Sequence, residues 1–291
     1  MNFDKILSRT VKEIKPSGIR KFFDIVAERP DAISLGVGEP DFVTPWHIRD
    51  AGIYSLEKGR TYYTANSGLI ELRQEICNYL KRRFELEYNA SQVLVTVGGS
   101  EAIDISLRAI IEPGDEVIIP EPCFVCYSPC TALAGGVPVP VETKEEDEFR
   151  LTAEALKSKI TPRTKALILP FPNNPTGAIM GKEDLEAIAD VLDGTDIVVL
   201  SDEIYAELTY GQKHVSIANI KGMKERTILI SGFSKAFAMT GWRLGYVCAE
   251  PEFIQAITKI HQYSIMCAPT TSQFAAIEAM KNSDSDVEAM A

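Results

Sequence analysis

The stretch SGFSKAFAMTGWRLG, residues 231–245, sets Lys235 among small side chains, with Ser231 and Ser234 before it and Arg243 after it. A lysine that serves only as a solvated charge needs no such crowding, whereas one that must shed its proton and attack a carbonyl carbon does. Other groups suited to chemistry are spread along the chain. Asp202 closes the apolar run DIVVLSD, where an unpaired carboxylate is costly and wants a cationic partner. Tyr205 follows in the same SDEIY segment, and Asn174 lies in PNNPTG, a loop held rigid by two prolines and a glycine. Phe124 begins an aromatic pair with Tyr127. In VTVGGSEAIDISLRAI, Gly99 and Ser100 fall where a strand turns into a helix, and the free amides and dipole of a helix start suit a phosphate. Arg243 could grip the same phosphate through two parallel hydrogen bonds, with the Ser234 hydroxyl beside it.

Each group has an ordinary explanation when taken alone. The glycine turn needs no ligand, PNNPTG is a plain turn, and Arg243 is a salt-bridge partner. Asp202 caps a helix or loop, and Phe124 packs in the core. Taken together they describe one ligand. A phosphate anchor, an aromatic face, a carboxylate for a ring nitrogen, two donors for a phenolate oxygen and a lysine for an aldehyde fit pyridoxal 5′-phosphate. A carboxylate beside the ring nitrogen keeps it protonated, which lets the ring draw electrons from the substrate's Cα. The amine that forms the Schiff base is also well placed to carry the proton.

These groups need a frame. Short Val- and Ile-rich runs recur at 92–98, 115–120, 165–170, 195–202 and 226–232. Between them lie amphipathic helices: Leu185, Ile188, Ala189 and Leu192 share one face, as do Leu69, Leu72, Ile76 and Leu80. The pattern predicts an α/β fold, a mostly parallel central sheet with helices on both faces. Ligands of such sheets gather beyond the carboxyl ends of the strands, which is where GGSE, PNNPTG, SDEIY and SGFSK stand.

The composition narrows the function. The 291 residues carry a net charge of −11 with no basic run, which argues against nucleic acid. The N-terminus is charged throughout, and no apolar stretch reaches transmembrane length, so the chain reads as soluble and cytoplasmic. Three of six cysteines cluster in EPCFVCYSPC, but no fourth Cys or His lies nearby and the three histidines are scattered. Packed reduced thiols are expected there, and no metal.

The motifs SLGVGEPDF, YYTANSGLIELR, GGSEAI, PGDEVIIPEPCFVCY, NNPTG, SDEIYAEL and SGFSKAFAMTGWRLGY, in this order from about residue 33 to 250, resemble those of fold-type I, class I/II aminotransferases. The resemblance implies the fold of a pyridoxal-phosphate transferase large domain (residues 46–280) with a partial small domain (1–45, and 281–291 leading back to it). It implies amino-group transfer between an L-amino acid and a 2-oxo acid by a ping-pong mechanism. Lys235 would be the Schiff-base lysine and acid/base. Asp202 would pair with the pyridine nitrogen, Tyr205 and Asn174 with the cofactor's O3′, and Phe124 would stack on the ring. Gly99, Ser100, Ser234 and Arg243 match phosphate-binding positions, and Gly38 would offer its N–H to the substrate carboxylate. Tyr63 matches a tyrosine that crosses a dimer interface to the phosphate, implying a homodimer. Two departures stand out. Gly232 lies where many relatives have a serine, and the sequence stops at VEAMA without the family's substrate-carboxylate arginine, a role for which Arg20, Arg49 and Arg60 have no motif support. The chain therefore reads as C-terminally incomplete. A carbon–sulfur or ring-forming lyase, and an inactive chain that still binds the cofactor, remain open alternatives.

Overall fold

The computed structural model describes residues 1–16 and 38–291. Arg20 and the first residues of the SLGVGEPDF motif lie outside the described residues. Among those described, seven strands form one sheet in the order β1-β7-β6-β5-β4-β2-β3. They are β1 (Val93–Thr96), β2 (Glu116–Glu121), β3 (Val137–Glu142), β4 (Thr164–Leu169), β5 (Val198–Asp202), β6 (Thr227–Gly232) and β7 (Gly245–Cys248). Neighbours run parallel from β3 to β6, while β7 is antiparallel to both β6 and β1. The expected α/β architecture with a mostly parallel sheet is present. All five expected runs are strands. Two strands had no expectation: β3, whose alternating prolines mask the pattern, and the short β7, which sits inside the motif around Lys235.

The apolar runs are continuous because both faces of the sheet are covered. Leu94, Ile168, Leu200, Ile230 and Val247 point to one face, where they join Ile103 and Leu107 of α3 (Gly98–Ile110) and Ile254 and Ile257 of α6 (Pro251–Ser264). Their sequence neighbours point the other way. Val95, Leu229 and Tyr246 pack with Leu72 and Ile76 of α2 (Ile70–Phe84) and Met280 of α7 (Thr270–Asn282). Leu167, Leu169 and Val199 meet Leu185, Ile188 and Leu192 of α5 (Lys182–Leu192), which realises the predicted helical face. Helix α1 (Trp46–Glu57) lies against α7, α4 (Tyr127–Leu133) follows β2, and α8 (Asp284–Met290) ends the chain. No helix among the described residues is long and apolar enough to cross a membrane, and none of their His, Cys, Asp and Glu groups could hold a metal.

Candidate active site

Because β1, β2, β4, β5 and β6 run the same way, their carboxyl ends share one edge. At or just beyond them stand Gly99 and Ser100 in the first turn of α3, Phe124, Asn174, Asp202 ending β5 with Tyr205 after it, and Ser234 with Lys235. Arg243 reaches the same edge by the opposite route, since it precedes the antiparallel β7.

Lys235 is half-buried and sits over the ring of Tyr205, its Nζ 5.5 Å from the ring centroid. Burial lowers its pKa; the charge of Glu39 opposes that and the charge of Arg243 adds to it. A lowered value favours the free amine that nucleophilic attack requires. Its Nζ donates to the carbonyl oxygen of Gly38, so the lysine and the expected substrate-binding glycine are neighbours. The contact uses the Gly38 carbonyl, not the N–H that sequence reasoning singled out. The segment after Gly38 is tied to the lysine loop: Thr44 donates to the Ala238 carbonyl at 2.6 Å, and Trp242 Nε1 donates to the Thr44 hydroxyl at 3.1 Å. Between them opens a cleft of about 640 Å³ lined by Phe42, Thr44, Thr240, Trp242, Arg243 and Ser272, among others. Across the edge, Asn174 Nδ2 donates to the Tyr205 hydroxyl at 3.3 Å, which brings the two expected O3′ donors together.

At the start of α3, Gly98 adopts φ +79°, and a Cβ there would lie 2.6 Å from Arg243 Nη2. Only glycine lets the guanidinium lie this close to the helix start. Arg243 itself has φ +51°, unusual for a side chain of this size, and donates through Nη1 to the Thr240 carbonyl at 3.3 Å. Gly99 follows in the first helical turn, Ser100 is exposed there, and Ser234 is half-buried beside Lys235. Gly232 has a packing reason for lacking a side chain: a Cβ would lie 2.9 Å from Gly245 Cα and 3.0 Å from the Leu244 carbonyl oxygen.

Asp202 is buried at the end of β5. Its Oδ2 accepts from the Tyr127 hydroxyl at 2.8 Å and its Oδ1 from the Ile204 N–H at 3.2 Å. Burial pushes its pKa up to about 6, against the pull of those two hydrogen bonds, and Glu203 adds to the rise. Among the described residues no lysine, arginine or histidine forms an ion pair with it. Sequence reasoning named Tyr127 only as Phe124's aromatic partner. The rings do meet edge to face, with centroids 6.1 Å apart, but the hydroxyl contact with Asp202 was not foreseen. Nothing in the residue spacing encodes it, because it joins the first residue of α4 to the last residue of β5, 75 positions apart. The six cysteines are free, as expected. Tyr63 lies between α1 and α2 rather than after a strand of this edge and is 78% exposed.

Comparison with known proteins gives this geometry a family. The family model for aminotransferase class I and II matches residues 30–291. The chain belongs to that family. Its relatives include a Bacillus subtilis protein, YugH, named as an aminotransferase, 56% identical over 98% of this chain and 74% of its own length. The aspartate aminotransferase of Pyrococcus abyssi is 48% identical, covering 92% of this chain and 70% of its own. Among solved structures, the aspartate aminotransferase from Thermus thermophilus with maleate superimposes with a TM-score of 0.94 at 40% identity, over 98% of this chain and 76% of that one. The chain is thus a pyridoxal-phosphate-dependent aminotransferase that spans about three-quarters of these relatives' length.

Proposed function

We propose that Lys235 would hold the cofactor at its aldehyde carbon and would carry the substrate's Cα proton, in a ping-pong exchange between an L-amino acid and a 2-oxo acid. One observation carries the reading. A lysine whose pKa is lowered by burial stands at the strand edge shared by Asp202, by the Asn174–Tyr205 pair and by Arg243 over the α3 start. The residues fit the cofactor. A buried carboxylate with a raised pKa and no ion-pair partner among the described residues suits a protonated ring nitrogen, and the Gly98 turn beside the guanidinium suits a phosphate. When bound, the cofactor supplies an electron-withdrawing ring that stabilises negative charge at Cα.

The chain's own groups do the rest. Asp202 would hold the ring nitrogen, with Tyr127 fixing the carboxylate's orientation. Tyr205 and Asn174 would donate to the phenolate oxygen, and Phe124 would cover a ring face. Gly99, Ser100, Ser234 and Arg243 would hold the phosphate. Gly38 would bind the substrate carboxylate through its N–H once Lys235 turns from its carbonyl. Lys235 then holds and returns the proton as a general acid/base. We further propose a cytoplasmic homodimer in which Tyr63, exposed here, serves the partner's phosphate, with residues 46–280 as the large domain and 1–45 and 281–291 as parts of a small one. The test is borohydride reduction of the cofactor-loaded chain followed by peptide mapping. Pyridoxyl on Lys235, absent in Lys235→Ala, is expected; pyridoxyl on another lysine, or on none, refutes the assignment.

A further inference from the structure

We propose that Glu101 and His261 form a positioning pair that sets the phosphate-holding turn, an inference that rests on the reading of Gly99, Ser100 and Arg243 as the phosphate site. The first amides of a helix have no intrahelical partner, and their directions decide whether they converge on an anion. Helix α3 begins without a side-chain cap from Val97. Instead Glu101 reaches back, and its Oε2 accepts the Val97 N–H across the turn that contains Gly98. Thr96 adds a second tie, its hydroxyl donating to the Gly98 carbonyl at 3.1 Å.

The other oxygen of Glu101 accepts from His261 Nδ1 at 2.9 Å, across the packing of α6 on α3. An ionised carboxylate can only accept, so Nδ1 carries the hydrogen. That leaves Nε2 of a wholly buried imidazole with no hydrogen-bond partner among the described residues. A bare buried nitrogen costs free energy, and an apolar side chain would pack on α6 without that cost. The bond to Glu101 is the one polar contact the imidazole makes among the described residues, and what it does is aim the carboxylate.

The macrodipole favours a carboxylate in a helix's first turn, a gain to the fold that does not distinguish one ligand from another. A carboxylate in the first turn of a helix that receives a phosphate repels that phosphate. What Glu101 supplies is hydrogen-bond geometry, so an amide of the same shape should serve as well. Glu101→Gln keeps an acceptor for the Val97 N–H, and its NH2 donates to His261 Nδ1 once the imidazole hydrogen moves to Nε2. Glu101→Ala removes the acceptor, and His261→Leu removes the group that aims it.

The experiment measures the dissociation constants of pyridoxal 5′-phosphate and of pyridoxal, by absorbance, on the full chain freed of cofactor. Their ratio isolates what the phosphate contributes and cancels any general loss of binding competence. Glu101→Ala is expected to lower the preference for the phosphorylated form roughly tenfold, as loss of an orienting partner behind a ligand-binding group does. His261→Leu should lower it in the same direction, and Glu101→Gln should keep it within about twofold. An unchanged ratio in folded Glu101→Ala or His261→Leu, or a Gln variant as impaired as the Ala variant, overturns the proposal. If Glu101→Ala does not fold, the His261→Leu and Gln outcomes decide. Arg243→Ala separates the two layers: a ratio that survives this change refutes the phosphate assignment itself.

Discussion

Asp202→Asn should stabilise the cofactor-free protein and weaken its hold on the cofactor, and both effects follow from one buried charge. The native carboxyl has its pKa raised from 3.8 to about 6, with burial the largest cause. A folded-state value above the unfolded one means the native protein binds more protons between pH 4 and 6. Stability is therefore lost as pH rises through that window and stays low above it. At about 1.4 kcal/mol per pH unit, the ionised carboxylate costs the cofactor-free protein about 3 kcal/mol at pH 8. Asparagine keeps the shape and can be satisfied: its oxygen accepts the Ile204 N–H and its amide donates to the Tyr127 hydroxyl, which rotates to accept. Urea unfolding of both proteins from pH 4 to 8 checks this. The variant should gain on the wild type by up to about 3 kcal/mol, most of it as pH rises from 4 to 6, and the gap should close toward pH 4 and below. Added cofactor should reverse the ranking at pH 8, because only the carboxylate gains a cationic partner. Parallel pH profiles for the two proteins, or equal stabilisation by the cofactor, would refute the reasoning.

Three further outcomes follow. Gly98→Ala puts a Cβ 2.6 Å from the Arg243 guanidinium at a φ of +79°, so it should cost more than about 1 kcal/mol of stability and at least tenfold in cofactor affinity, read by thermal shift and absorbance titration. Gly232→Ser should destabilise by about 1–3 kcal/mol in urea, because β7 backbone lies 2.9 Å from the new Cβ. His47 lies between Glu278 at 2.8 Å and Asp286 at 3.0 Å. Burial alone would lower its pKa, but the two hydrogen bonds and charges raise it above 6.5. Its contribution is complete below pH 6.5 and lost as pH rises through the native value, so His47→Gln should be less stable than wild type at pH 6 and converge with it at higher pH. At one-third exposure the gap should stay under about 1 kcal/mol by thermal unfolding.

Much of the fold was legible because the hydrophobic pattern carries it. Leu185, Ile188 and Leu192 repeat with helical spacing and are buried at 2%, 0% and 0%, and β4, β5 and β6 announce themselves as unbroken apolar runs. What escaped was short or masked. Strand β3 alternates valine with proline, which reads as loop, yet proline is tolerated there because β3 is the outermost strand. At the candidate site, the residues that the structure brings to one edge stood out one by one, since a lysine among small residues or a carboxylate ending an apolar run is odd locally. The supporting contacts were not visible. Tyr127 with Asp202, Thr44 with Ala238 and Glu101 with His261 join residues 75, 194 and 160 positions apart, and only the packed structure brings them together.

The reversal of direction at residues 232–245 explains why one motif carries both the amine and the guanidinium. A parallel strand can deliver a side chain to the active edge only from its carboxyl end, and reaching that edge again by another parallel strand takes a long crossover. Here β6 delivers Lys235 at its carboxyl end, and the chain returns at once through β7, whose amino end carries Arg243 to the same edge. The return must squeeze β7 between β6 and β1. Gly232 faces Gly245 across one pairing, and Gly245 faces Thr96 across the other, next to the Gly98 turn. A Cβ on Gly245 would lie 2.7 Å from the Gly98 carbonyl carbon. The glycines at 98, 232 and 245 are thus one steric condition in three places. Each is required so that a single antiparallel strand can set Arg243 beside the start of α3 within a few residues of the lysine.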